Sequence, residues 1–138
     1  MKITPIFHIL SILIMPLSGF MMASGFVDFV YNNQNWVNFF ISATITLFVG
    51  MSVFLATRGH NDQNIDLRQA FVLTTMSWIT IAFFGALPFY LSNINLNFTD
   101  SFFESMSGIT TTGSTILINI EASPPGILAW RSLLQWLG

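Results

Sequence analysis

The 138-residue sequence contains no cysteine and few charged residues, which together make up only 7% of the chain. The lack of cysteine excludes disulfides, thiolate metal sites and cysteine nucleophiles. Soluble domains have about 25% charged residues, so this chain has too few to cover a globular surface in water. The net charge is −2 and the sequence has no run of basic residues, which argues against a nucleic-acid partner. The 53% of hydrophobic residues therefore predict an integral membrane protein.

Three apolar stretches are each long enough to cross a bilayer, which takes about 20 helical residues. They cover residues 5–30, 36–57 and 70–92, and Asp28 is the only charged residue within them. We interpret Asp28 as a solvated helix terminus. A cleaved signal peptide is the competing interpretation of the first stretch. The apolar core of a signal peptide is only about 7–15 residues long, however, and residues 5–30 form a longer apolar stretch. The pattern predicts an all-α membrane protein.

The few cations predict the orientation of these spans. Lys2 precedes the first span, and Arg58 and Arg68 flank the connection between the second and third. Residues 31–35 and 92–100, at the opposite ends of the spans, contain no Lys or Arg. Because positively charged residues concentrate on the cytoplasmic side, we expect the N terminus to be cytoplasmic.

After the third span the pattern changes to that of a re-entrant loop. Residues 99–109 form a candidate amphipathic pore helix that is too short to cross, with Thr99 or Ser101 placed to cap its start. Residues 110–114, TTTGS, combine β-branched residues with glycine and favour an extended strand. Residues 126–138 are then the start of another apolar span. Irregular backbone at membrane depth must be buried in protein or line a water-filled cavity.

The threonine–glycine segment has the chemistry of a cation filter. Potassium filters replace the water shell of the ion with backbone carbonyl oxygens. The carbonyls of Thr110, Thr111 and Thr112 are candidates, with the Thr112 hydroxyl as a further oxygen. Gly113 can turn its carbonyl toward the ion without a Cβ penalty. The C-terminus of the preceding helix also favours a cation.

Glu104 and Arg131 are charges in segments that should lie at least partly within the membrane. Unpaired charges are costly there, and intramembrane charges usually pair. We interpret the two residues as a structural ion pair between the pore helix and the following span. The alternative is that Glu104 binds the cation directly.

Three motifs resemble the first pore repeat of the Trk/Ktr/HKT potassium transporters, in particular the bacterial TrkH type. They are ALPFYLS at 86–92, FTDSFFESMSGITTTGSTIL at 98–117 and WRSLLQWLG at 130–138. The resemblance implies a two-helix N-terminal segment, 1–66, followed by the first pore repeat, 67–138. It implies potassium uptake through a carbonyl-lined filter, with K+ as the transported ion. The sequence shows no constellation of nucleophile, base and orienting group, so we expect neither enzyme activity nor a cofactor.

The resemblance also places Gly113 at the filter glycine, with K+ at Thr111, Thr112 and Gly113. It implies a homodimer in the inner (cytoplasmic) membrane, in contact with lipid and with a cytoplasmic nucleotide-binding regulatory subunit. Members of the family have four filter segments, whereas this sequence has one and stops within its last apolar stretch. We therefore expect a truncated or fragmentary reading frame, and the assembly of four copies around one axis is the less favoured explanation. A non-conducting or vestigial membrane module is the alternative function.

Overall fold

The computed structural model describes residues 2–59 and 64–138, and the regular secondary structure in these residues is entirely helical. Three of the helices are long and apolar enough to span a membrane. The predicted all-α membrane architecture is therefore confirmed. The described elements are α1 (Thr4–Val30), α2 (Trp36–Thr57), α3 (Leu67–Leu91), α4 (Phe98–Ile109), a 3-10 turn (Ile120–Ala122) and α5 (Pro125–Leu137).

The N-terminus of α4 is capped by a different residue from the one predicted. The side chain of Asn97 accepts a 2.8 Å hydrogen bond from the backbone N–H of Asp100, so Asn97 is the N-cap. Neither Thr99 nor Ser101 has this role, because α4 begins one residue earlier than predicted and includes both. The Ser101 hydroxyl donates back to the Asn97 carbonyl instead.

Hydrogen bonds at the two ends of the bundle define how the chain alternates between them. At one end His8 Nδ1 lies 2.9 Å from Thr57 Oγ1, and the Gln69 side chain donates to the Lys2 carbonyl. The starts of α1 and α3 therefore lie beside the end of α2. At the other end, the last turn of α1 contacts the start of α5. Successive spans thus run in opposite directions, as a membrane hairpin requires.

Helices α1 and α2 pack closely because small residues line their interface. A β-carbon built on Gly25 would lie 2.8 Å from the Phe39 Cβ, and one on Gly50 would lie 3.2 Å from the Met15 Cγ. Such close approach is typical of membrane helices, which associate mainly through packing. Buried hydroxyl groups along this interface donate hydrogen bonds to backbone carbonyls of their own helix. They belong to Ser18 and Ser24 of α1 and to Ser42 and Thr46 of α2.

The core lies where α5 packs against the other helices. Trp130 and Leu134 of α5 are fully buried, together with Phe89 of α3 and Met21 of α1. Many large apolar side chains on the outward faces of α2 and α3 are exposed, among them Phe48. An apolar solvent suits these faces, whereas one side of α5 is buried against α1, α3 and α4.

Candidate functional site

The pore helix α4 ends in a Schellman motif whose left-handed residue is a threonine. The Thr111 N–H donates to the Gly108 carbonyl, and the Thr112 N–H donates to the Ser107 carbonyl. Thr111 has φ of +58° in this position, where glycine is usual. A β-branched residue at positive φ is a strained outlier. The backbone at the loop tip is therefore held in a conformation that its side chain disfavours.

The structure consequently differs from the expected extended strand over residues 110–114. Thr110 has helical dihedral angles, and both Thr111 and Gly113 (φ +76°) are left-handed. A Schellman terminus places one residue in the left-handed conformation, and the sequence pattern of β-branched residues did not indicate it. The segment is a tight turn followed by irregular backbone rather than a uniform strand.

Beyond the tip, the chain returns alongside α4. The Ser107 hydroxyl donates to the Ser114 carbonyl at 2.5 Å. One turn back along α4, Glu104 Oε1 accepts hydrogen bonds from the Thr115 hydroxyl at 2.7 Å and the Ile116 N–H at 2.6 Å. The chain thus runs along α4, turns, and returns beside the same helix, as a re-entrant loop would.

Glu104 also faces α5. Arg131 Nε lies 3.2 Å from Glu104 Oε2, with the two side chains 16% and 0% exposed respectively. This contact is electrostatic, because Oε2 accepts no hydrogen bond from the described residues. The structure therefore brings together the two charges singled out in the sequence, and Glu104 links α4, the returning chain and α5.

The four candidate filter residues, Thr110, Thr111, Thr112 and Gly113, lie together at the loop tip and are exposed in this chain. The Thr110 and Thr112 hydroxyls are 2.9 Å apart, and the Thr110 hydroxyl also donates to a carbonyl of α4. A β-carbon on Gly113 would have 3.7 Å to Gln135 Nε2, which is ordinary van der Waals contact. The requirement for glycine at 113 is therefore conformational rather than steric.

Glycines let α4 approach its neighbours closely. A β-carbon on Gly85 of α3 would overlap the Ser105 hydroxyl, and one on Gly108 would lie 3.0 Å from the Leu134 Cβ. The Trp130 indole N–H donates to the Gly85 carbonyl at 3.0 Å. Helices α3, α4 and α5 are thereby packed closely against one another.

The interpretation of Asp28 as a solvated helix terminus is wrong. The residue is completely buried, and its carboxylate accepts hydrogen bonds from Gly126 and Asn35. The carboxylate contacts the first turn of α5, which the sequence places far away. The available signal was that an acid within an apolar span usually has a partner.

Comparisons with known proteins agree with this architecture. The family model described as TrkH, cation transport protein, matches residues 34–138. An uncharacterized cation transporter of Methanocaldococcus jannaschii is 36% identical over 96% of this chain and 27% of its own length. The Trk system potassium uptake protein TrkI of Halomonas elongata is 39% identical over 97% of this chain and 27% of its own length.

Among solved structures, the potassium transporter TrkH of Vibrio parahaemolyticus matches with a TM-score of 0.92 and 32% identity. The match covers 99% of this chain and 29% of that transporter. The chain therefore spans less than a third of the length of the relatives it matches.

Proposed function

Since this chain belongs to the family of TrkH cation transport proteins, we propose that it contributes one segment of a carbonyl-lined filter to a potassium-uptake transporter. The observation that carries the proposal is the loop tip, where Thr111 and Gly113 both have positive φ. Helix termination alone would favour glycine at position 111. A strained threonine there supports a functional role for the loop tip, because strained backbone clusters at functional sites.

The proposed ligands are backbone oxygens of Thr110, Thr111, Thr112 and Gly113, with K+ at the last three. Carbonyl rings replace the hydration shell of potassium, and the C-terminus of α4 adds partial negative charge beside them. The exposure of all four residues leaves them accessible to an ion and to further filter segments. Four such segments, as the family resemblance implies, would complete the cage.

Glu104 acts in this proposal as part of a structural ion pair with Arg131 rather than as a cation ligand. Its carboxylate is buried, and Oε1 already accepts two hydrogen bonds from the returning chain. Oε2 faces the guanidinium of Arg131. A carboxylate engaged on both oxygens has little capacity left for a passing ion.

The proposal includes an N terminus on the cytoplasmic side of the inner membrane. Lys2, Arg58 and Arg68 adjoin the same end of the helix bundle, where α1 and α3 begin and α2 ends. Clustering of cations at one end is the pattern of the cytoplasmic face. By family resemblance, the proposal extends to a homodimer with a cytoplasmic nucleotide-binding regulatory subunit.

A growth assay separates potassium uptake from a non-conducting membrane module. A full-length Trk-family transporter would carry this segment in place of its own, in cells that lack potassium-uptake systems. We expect growth on limiting potassium at a rate close to that of the unmodified transporter. If the chimera reaches the membrane in normal amount yet gives no growth, the non-conducting alternative is favoured.

A further inference from the structure

Asp28 connects the N-terminal helix α1 to Gly126, a residue 98 positions later in the chain. Its Oδ1 accepts a 2.6 Å hydrogen bond from the Gly126 N–H, in the first turn of α5. Its Oδ2 accepts a 3.3 Å hydrogen bond from the Asn35 side chain at the start of α2. The carboxylate is completely buried, so these contacts replace its hydration.

The first turn of α5 leaves one backbone donor in need of a partner. Pro124 and Pro125 have no N–H, and the N–H groups of Ile127 and Leu128 both donate to the Pro124 carbonyl. Pro124, at the N-cap position, supplies no side-chain cap. The Gly126 N–H is therefore the remaining first-turn donor. A carboxylate at this position also complements the positive end of the helix dipole.

The surroundings of Asp28 fit this contact in shape and direction. A β-carbon on Gly126 would overlap the carboxylate, so only glycine leaves room for it. The Asn38 amide donates to the Asn35 side-chain oxygen at 2.8 Å, which leaves the Asn35 amide N–H to face Asp28. The donors and acceptors thus form one chain that joins α1, α2 and α5.

The capped helix α5 in turn contacts α4 through two of its side chains. Arg131, five residues after Gly126, faces Glu104, and Leu134 packs on Gly108 at the end of α4. We propose that Asp28 is a positioning residue for the cation filter: it caps α5 from α1 and so sets how α5 holds the pore helix. The proposal rests on the filter function proposed above.

A double-mutant cycle tests the contact without reference to transport. In the full-length chimera, Asp28→Ala and Gly126→Ala should each lower the fraction of purified protein that survives heating in detergent. The double variant should lose no more than the worse single variant, because the methyl group introduced at position 126 then occupies space that the carboxylate has left. Losses that combine independently would overturn the cap.

An exchange of the two polar side chains gives a second test with smaller perturbation. Asp28→Asn alone places its amide donor against the donor of Asn35, which should reduce heat survival. Adding Asn35→Asp restores an acceptor at that point, and the double variant should recover most of the loss. A double variant no better than Asp28→Asn would contradict the proposed hydrogen-bond chain.

The positioning role requires a change in ion discrimination as well. At matched surface amounts, Asp28→Ala should lower the ratio of potassium to sodium uptake by several-fold, whereas Glu121→Gln, an exposed acid, should leave it unchanged. If Asp28→Ala leaves the ratio of potassium to sodium uptake unaltered, Asp28 only stabilises the fold and the proposed positioning role is wrong. If Gly113→Ser also leaves the ratio unaltered, the filter assignment fails, and the double-mutant cycle alone decides the cap.

Discussion

The carboxylate of Glu104 accepts a 2.6 Å hydrogen bond from the backbone N–H of Ile116, twelve residues further along the chain. This bond fixes the returning backbone three residues beyond Gly113. The same carboxylate faces Arg131, so charge on α5 and the path of the loop are coupled through one side chain. Removal of the charge and removal of the acceptor oxygen should therefore have separable effects.

The first prediction concerns the ion pair. Arg131→Gln should sharply lower the yield of folded full-length transporter, because an unpaired buried charge costs about 3–5 kcal/mol. The double variant Glu104→Gln with Arg131→Gln should recover much of the loss, since the amide introduced at position 104 still offers an oxygen to Ile116. A charge exchange between the two positions should recover less, because a guanidinium at position 104 offers no acceptor. The measurement is monodisperse protein recovered after detergent extraction.

An exposed acid provides the control for this pair. Glu121→Gln removes the same charge as Glu104→Gln from an exposed position, and it should leave the yield nearly unchanged. Normal accumulation of Arg131→Gln would mean that the pair is not structural. A double variant as poor as Arg131→Gln would mean that the unpaired Glu104 charge is not the cause.

The membrane architecture could be predicted from the sequence because hydropathy is a local property. The second span was predicted at 36–57, the bounds that α2 has in the structure. The start of α4 was misplaced because several residues near it, including Asn97, Thr99 and Ser101, can all act as caps. Which of them caps the helix depends on the path of the preceding loop, and composition does not determine that path.

The contacts of the candidate site were less accessible to sequence reasoning. Glu104 and Arg131 were identified because charges in apolar segments need partners. The bonds from Glu104 to Thr115 and Ile116 involve backbone geometry, which side-chain patterns do not encode. Asp28 was misjudged because its partner is a backbone N–H, and every residue type except proline has one.

The second prediction concerns membrane orientation, and the lack of cysteine gives a clean background for labelling. Cysteines at Gln34 and Asn93, which are exposed at the loop ends, should react with an impermeant maleimide added to intact cells. A cysteine at Asn64, at the opposite end, should react only after permeabilisation. Asn95 is a poorer site because its φ of +57° disfavours cysteine. Labelling of a cysteine at Asn64 in intact cells would contradict the proposed orientation.

The third prediction concerns the strain at Thr111. Thr111→Gly should raise the midpoint temperature of thermal unfolding of the full-length chimera. Relief of left-handed backbone strain contributes about 1–2 kcal/mol, which exceeds the entropic cost of glycine of about 0.5–1 kcal/mol. Asn119→Gly is the matched control: Asn119 has φ of +59°, but asparagine tolerates this region, so its gain should be smaller. Equal gains at both positions would argue against strain specific to Thr111.

The last prediction concerns Gly113, whose φ of +76° is unfavourable for serine and for most other residues with a side chain. Gly113→Ser in the full-length chimera should lower the ratio of potassium to sodium uptake several-fold, because the added side chain opposes the backbone conformation proposed to direct the Gly113 carbonyl toward the ion. Membrane abundance should change little, since a β-carbon there meets only Gln135 Nε2 at 3.7 Å. Gly19→Ser, on an open face of α1, is the matched control and should leave both quantities unchanged. Thr111→Ala should have a smaller effect than Gly113→Ser, because it keeps the backbone oxygen without adding a β-carbon at positive φ. A normal uptake ratio in Gly113→Ser at matched abundance would remove this glycine from the filter.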